Sequence, residues 1–106
     1  MIQQILDLYG KTISEIKTIE NYFMIKIDDT WITIYNPSDI TCQGNISKLD
    51  LLKNQILNHI YEIENEKFVF EFSNGINISV NITPEAYTSP EAIVFNFPNH
   101  LTVVVN

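Results

Sequence analysis

The sequence predicts a mainly β domain, an α+β chain in which the helices are short. Isoleucine, phenylalanine, valine and tyrosine dominate its apolar residues, and this bias favours half-buried pleated strands over helices. Apolar and polar residues alternate through hairpin-like stretches, which is the period of a strand with one buried face. A length of 106 residues predicts a single domain, 1–106, with one core.

The first half of the chain begins with a short helical pattern and continues as strands. Apolar residues from Ile2 to Tyr9 have helical spacing, and Gly10 follows as a stop signal. The stretches TISEIKTIE, YFMIKI and WITIY then predict three strands, which an Asn-Pro pair ends. We predict that this unit covers residues 2–37.

The second half has the same order of elements. Ser47 is the predicted cap of a short helix, and Asn54 takes the place of Gly10 because asparagine tolerates a left-handed conformation. The stretches ILNHIYEIE, KFVFEF and INISVNI follow as strands, and the tripeptide Ile-Glu-Asn occurs in both halves. We predict two similar helix–β-meander repeats, the second over residues 47–82, in one antiparallel sheet or partial barrel.

The end of the chain departs from this plan. A loop, TPEAYTSPE, leads to the stretches AIVFNF and LTVVV, which predict a C-terminal hairpin over residues 92–105. Three successive valines predict that the last strand is either buried on both faces or paired with a partner. A homodimer joined through residues 101–105 is therefore one hypothesis for this chain.

The hairpin of the second repeat separates its apolar and polar residues cleanly. A three-residue turn, Ser73-Asn74-Gly75, fits because Gly75 supplies the positive φ that such a turn needs. The polar face carries glutamate, serine and asparagine. The predicted core face consists of Phe68, Phe70, Phe72, Ile76, Ile78, Val80 and Ile82.

The hairpin of the first repeat allows two arrangements. A two-residue turn at Asp29-Thr30 predicts a core face of Phe23, Ile25, Ile27, Ile32 and Ile34. A three-residue turn would move Trp31 and Tyr35 into the core. We prefer the first arrangement because it separates apolar from polar residues better. Its other face consists of Tyr22, Met24, Lys26, Trp31, Thr33 and Tyr35.

Aromatic side chains next to acidic ones on that face predict a surface that binds another protein. The candidate residues are Tyr22, Asp28, Asp29, Trp31, Tyr35, Glu62 and Glu64. The alternative is that the terminal hairpin or a short helix covers this face, in which case the aromatic residues belong to the core.

The charge of the chain favours a protein partner of opposite sign. A net charge of −7 repels phosphate backbones and anionic membrane surfaces, so we expect neither nucleic-acid nor membrane binding. It would steer a basic protein toward this one. Cys42 is the only cysteine, and no signal-peptide pattern opens the sequence. These features predict a cytoplasmic protein.

Residues that could carry chemistry are scattered. Gly10-Lys11-Thr12 ends like a phosphate-binding loop, but Ile5 stands where that loop requires a glycine. Cys42 and the two histidines are far apart in sequence, so we predict no metal site, no cofactor and no catalysis. An enzyme that uses Cys42 or a histidine is the remaining alternative.

Three short motifs resemble a family of small bacterial proteins, immunity-type or uncharacterised companions of secreted toxins. The motifs are Asn36-Pro37 after the first meander, Phe72-Ser73-Asn74-Gly75 at the second turn, and Pro90-Glu91-Ala92 before the last hairpin. The resemblance covers residues 6–106. It implies a non-enzymatic protein that binds a basic toxin domain and blocks its active site, and it carries over no catalytic residue.

Overall fold

The computed structural model describes all 106 residues and contains two five-stranded antiparallel sheets. The strands are β1 (Ile13–Ile19), β2 (Tyr22–Ile27), β3 (Thr30–Ile34), β4 (Ser38–Cys42), β5 (Asn45–Ile46), β6 (Leu57–Ile63), β7 (Lys67–Phe72), β8 (Ile76–Asn81), β9 (Ile93–Asn96) and β10 (Thr102–Val105). One α-helix, α1 (Gln3–Leu6), and two 3₁₀ turns, Leu49–Leu52 and Pro84–Ala86, complete the regular structure, and Ser73–Gly75 forms the turn between β7 and β8.

Each sheet combines strands from both halves of the chain. The first sheet has the order β1-β2-β3-β9-β10, and the second has the order β5-β4-β8-β7-β6. The hairpin β9-β10 therefore pairs with β3, and the hairpin β4-β5 pairs with β8. The mainly β class is confirmed. The predicted single sheet or partial barrel is replaced by two sheets. The hairpin β4-β5 follows the first meander in sequence but pairs with the second, and the hairpin β9-β10 follows the second meander but pairs with the first.

The two sheets meet where β1 and β6 begin. The Gly10 N–H donates to the Leu57 carbonyl at 2.8 Å, and the Asn54 N–H donates to the Ile13 carbonyl at 2.9 Å. Gly10 and Asn54 both have positive φ, +85° and +69°. The same backbone conformation and the same bond thus occur on both sides of the junction.

One core lies between the sheets. A cluster of 21 buried residues draws on both of them, and the ring of Phe95 in the first sheet lies 6.1 Å from that of Phe70 in the second. The predicted core face of the second hairpin is confirmed, because all seven of its residues are buried. Its turn holds Asn74 and Gly75 at φ +62° and +70°. Gly75 thus has the positive φ that a three-residue turn needs, and Asn74 is a second left-handed residue.

The first hairpin turns one residue earlier than predicted. Ile27 lies opposite Thr30, so the turn is Asp28-Asp29 and not Asp29-Thr30. Both aspartates have positive φ, +46° and +64°, which matches the twist that a two-residue hairpin turn needs. Thr30 joins the core face and is 1% exposed. Of the predicted core face, Ile25, Ile27, Ile32 and Ile34 are buried and Phe23 is half-buried. Thr33, which was predicted on the other face, is only 3% exposed.

The helices are shorter than the sequence pattern suggested. The first is a single turn, Gln3–Leu6, and the second is the 3₁₀ turn Leu49–Leu52. Lys48 precedes that turn and no side chain caps it, so the predicted capping role of Ser47 is wrong. No helix combines the length and the apolar character that crossing a membrane requires.

The hairpin β4-β5 was not predicted. Cys42 pairs with Asn45 across the turn Gln43-Gly44, whose two residues have φ +51° and +85°. The glycine after the alternating stretch SDITC was the available signal.

The last strand is an edge strand. β10 pairs only with β9, at the end of the first sheet. Val104 is 42% exposed, so of the two alternatives predicted for this strand, burial on both faces does not hold within the single chain, and pairing with a partner stays a prediction. Its other edge has no strand beside it.

Candidate protein-binding face

The outer side of the first sheet carries aromatic and apolar residues in three cross-strand rows. The first row consists of Glu15, Lys26, Trp31, Asn96 and Thr102. The second row consists of Lys17, Met24, Thr33, Val94 and Val104. The third row consists of Ile19, Tyr22 and Tyr35. We call these residues the aromatic face. They alternate with the buried isoleucines of the same strands, so they point away from the core.

Trp31 is half-buried beneath two lysine side chains. The Lys17 Nζ lies 4.8 Å from the centroid of the indole ring, and the Lys26 Nζ lies 5.7 Å from it. Lys26 is directly opposite Trp31 across the strand pair, and its Nζ is 3.9 Å from the Asp29 carboxylate. These contacts are cation–π interactions that cover the ring with flexible, solvated side chains.

Tyr22 and Tyr35 form an aromatic pair at the other end of the face. Their ring centroids are 4.9 Å apart and their planes are inclined by 45°. Both side chains are half-buried, and Ile19 beside them is 40% exposed. Such tilted pairs hold two large amphipathic side chains in place with little loss of freedom on binding.

The terminal hairpin extends this sheet and does not cover it. β9 lies beside β3, so Val94 and Val104 continue the outer surface past Thr33. The alternative in which the terminal hairpin buries the aromatic residues is therefore not what the chain adopts. Val94 and Lys17 are members of the face that sequence reasoning missed, because only the strand register places them there.

The corresponding side of the second sheet is polar at its centre. β8 occupies the central place in its sheet that β3 occupies in the first. On the outer side, β3 and the residue after it carry Trp31, Thr33 and Tyr35, of which Thr33 is only 3% exposed. On the same side of the second sheet, β8 carries Asn77, Ser79 and Asn81. Two central strands in equivalent positions thus differ in the chemistry of their outer surfaces.

The predicted acidic residues do not all lie together. Asp28 and Asp29 are exposed in the β2-β3 turn, at one end of the aromatic face. Glu62 lies in β6 and Glu64 follows that strand, so both belong to the second sheet. The face itself carries Glu15 and two of the six lysines of the chain, so its centre is not acidic.

Glu62 acts instead on a tyrosine of the long loop. Burial raises the pKa of Tyr87 above its ordinary value of 10.0, and the negative charge of Glu62 raises it further. This electrostatic effect places Glu62 near the segment that leads to β9. It therefore belongs to the surroundings of Tyr87 and not to those of Trp31.

The residues considered for chemistry occupy separate elements. Cys42 is half-buried in β4, His59 lies in β6, and His100 lies in the β9-β10 turn. His59 stands between two tyrosines, with ring centroids 5.8 Å from Tyr9 and 6.0 Å from Tyr61. No group of three or more His, Cys, Asp or Glu side chains is arranged to hold a metal ion.

Comparison with known proteins gave no match to a protein-family model, to a curated protein or to a solved structure.

Proposed function

We propose that this chain is a non-enzymatic protein-binding module whose binding surface is the aromatic face. The observation that supports the proposal is the contrast between the two central strands. Trp31 stands on one and Tyr35 directly follows it, where asparagine and serine stand on the other. Tryptophan and tyrosine dominate the binding energy of protein interfaces, because they supply large rigid contact areas with a polar end.

The role we propose is that of an immunity-type protein in the cytoplasm, which neutralises a basic toxin domain by covering its active site. The net charge of −7 would accelerate the approach of such a partner. Asp28 and Asp29 at the rim then meet basic groups of the toxin. The two lysines that lie over Trp31 would be displaced from its ring as the interface forms.

We also propose that the two helix–β-meander repeats arose by duplication. The shared bond and positive φ at Gly10 and Asn54 support this, and so does the mirrored order of strands in the two sheets. If so, the outer faces of the two sheets were alike when the duplication occurred. The aromatic residues of the first would then be the part that was acquired for binding.

The proposal expects a gene for a secreted toxin domain beside the gene for this chain. The test is coexpression with that toxin domain, scored by growth and by the affinity of the purified pair. We expect the wild-type chain to protect the cells. Trp31→Ala should weaken binding at least about 30-fold, the loss typical of a central interface residue. Asp28→Lys should slow association several-fold by reversing a rim charge.

Asn77→Ala is the matched control, since Asn77 is on the outer side of the central strand of the other sheet, and it should bind like the wild type. Equal affinity of Trp31→Ala, Asp28→Lys and the wild type would refute the aromatic face as the binding surface. Absence of protection by the wild type would refute the immunity role. A variant with Cys42→Ser, His59→Ala and His100→Ala should protect fully, and its failure would revive the enzyme hypothesis.

A further inference from the structure

The free edge of β10 lacks the features that usually protect an edge strand. Soluble proteins keep such edges from pairing by placing charges, prolines or bulges on them. β1 has two charged residues on its outer side and a bulge after Ile13, and β6 has a glutamate and a bulge after Leu57. β5 is only two residues long. β10, with the sequence TVVV, has none of these protections.

Two residues of β10 present free backbone groups to this edge. The carbonyls of Leu101 and Val105 accept hydrogen bonds of 2.9 and 2.8 Å from Phe97 and Ala92, on the side of β9. Backbone groups of an antiparallel strand alternate in direction from one residue to the next. Thr102 and Val104 therefore direct their N–H and carbonyl groups away from β9, toward the open edge.

The segment that contains β10 is free of charge. Residues 92–106 include no aspartate, glutamate, lysine or arginine, although the chain as a whole carries −7. An identical strand could approach this edge without repulsion between like charges on the paired strands. A charged peptide would find no partner for its charges there. The charge pattern thus favours a second copy of the chain over a basic or acidic segment.

We propose that β10 pairs in antiparallel orientation with β10 of a second copy, about a two-fold axis at Val103. Thr102 then faces Val104 of the second copy, and the two residues exchange backbone hydrogen bonds on each side of the axis. Val103 faces Val103 of the second copy, a β-branched pair of the kind that stabilises sheets. Leu101 and Val105, now half-buried, pair with each other across the axis and become more buried.

The dimer would also enlarge the candidate binding surface. Thr102 and Val104 belong to the rows of the aromatic face, so the two faces would continue across the seam as one. Such a dimer offers two copies of the Trp31 surface on one side. This consequence rests on the proposed function, whereas the pairing of β10 does not.

The experiment is sedimentation velocity on the full chain alone, at concentrations up to about 1 mM, since an interface this small binds weakly. We expect the apparent mass to rise from 12.3 kDa toward twice that value. Val104→Pro removes an outward N–H and should weaken association at least tenfold, without breaking a bond to β9. Val104→Thr keeps both the N–H and the branched side chain and should associate like the wild type.

Val104→Lys keeps the N–H but adds a positive charge on both sides of the two-fold axis, and the repulsion between these charges should keep the chain monomeric. If circular dichroism shows that Val104→Pro does not fold, Val104→Lys tests the pairing of β10 in its place. Two results would overturn the proposal: a wild type that stays monomeric at about 1 mM, or association that neither Val104→Pro nor Val104→Lys weakens. Trp31→Ala should still dimerise, so loss of partner binding and loss of dimerisation can be told apart.

Discussion

Trp31 is half-buried, and two lysine side chains lie over its ring. The cover is made of flexible stems whose charged ends stay in water. A partner can therefore reach the indole by displacing side chains, without any change in the backbone. This makes the residue available for binding while limiting its exposure in the free protein.

Tyr87 should make the stability of the protein sensitive to alkaline pH. Burial and Glu62 both raise its pKa above 10.0, so the folded state favours the neutral phenol. The corresponding stability is fully present below the unfolded pKa of about 10 and is lost as pH rises through the folded pKa. We expect Tyr87→Phe to lose less stability than the wild type between about pH 9 and pH 12, as measured by urea unfolding.

Glu62→Gln serves as the companion variant, since it removes the charge and keeps the burial. It should lower the pKa of Tyr87 part of the way toward its ordinary value, as seen in an ultraviolet titration of the tyrosines. An alkaline stability profile of Tyr87→Phe identical to that of the wild type would contradict this assignment.

The junction between the sheets depends on two residues held at positive φ. Gly10 has φ +85°, and a Cβ added there would meet nothing within 4 Å, so only the backbone conformation disfavours a side chain. We expect Gly10→Ala to lower the free energy of unfolding by about 1–2 kcal/mol, the cost of a left-handed conformation for an ordinary residue. The measurement is the urea midpoint at an unchanged slope.

Gly10→Asn is the matched control, because Asn54 already adopts this conformation at the equivalent place. It should cost less than Gly10→Ala, since asparagine tolerates the left-handed region. Equal losses for the two variants would show that something other than φ controls the junction.

Elements whose structure is set locally were predictable from the sequence. The hairpin β7-β8 was predictable, because the alternation of apolar and polar residues fixes its two faces and Gly75 fixes its turn. The first hairpin had the right faces but the wrong turn, because Asp28, Asp29 and Thr30 all suit turn positions. The short hairpin β4-β5 was overlooked because its second strand has only two residues.

The pairing of elements from opposite halves of the chain was beyond local reasoning. Nothing in the sequence of β9 indicates that it will lie beside β3 and not beside β8, because both strands offer the same kind of backbone edge. This exchange decides the shape of the candidate site. It brings Val94 and Val104 next to Thr33, and it leaves Glu62 and Glu64 on the other sheet.

At the scale of the whole molecule, each sheet depends on both halves of the chain, because each meander pairs with the hairpin that follows the other meander. Phe95 of the terminal hairpin packs against Phe68 and Phe70 of the second sheet while its strand completes the first. The aromatic face is therefore supported by a core that the entire chain builds. A rigid support of this kind suits a binding surface, because little ordering remains to be done when the partner arrives.

The most direct test of the aromatic face uses the fact that Trp31 is the only tryptophan in the chain. Protein labelled with 5-fluorotryptophan should give a single ¹⁹F resonance, which the unlabelled toxin domain that the proposed function expects cannot obscure. On titration with that domain we expect this resonance to shift and its solvent exposure to fall, with saturation at the stoichiometry of the complex. A saturable complex that leaves the ¹⁹F resonance of Trp31 unchanged would contradict the proposal that this face binds the partner.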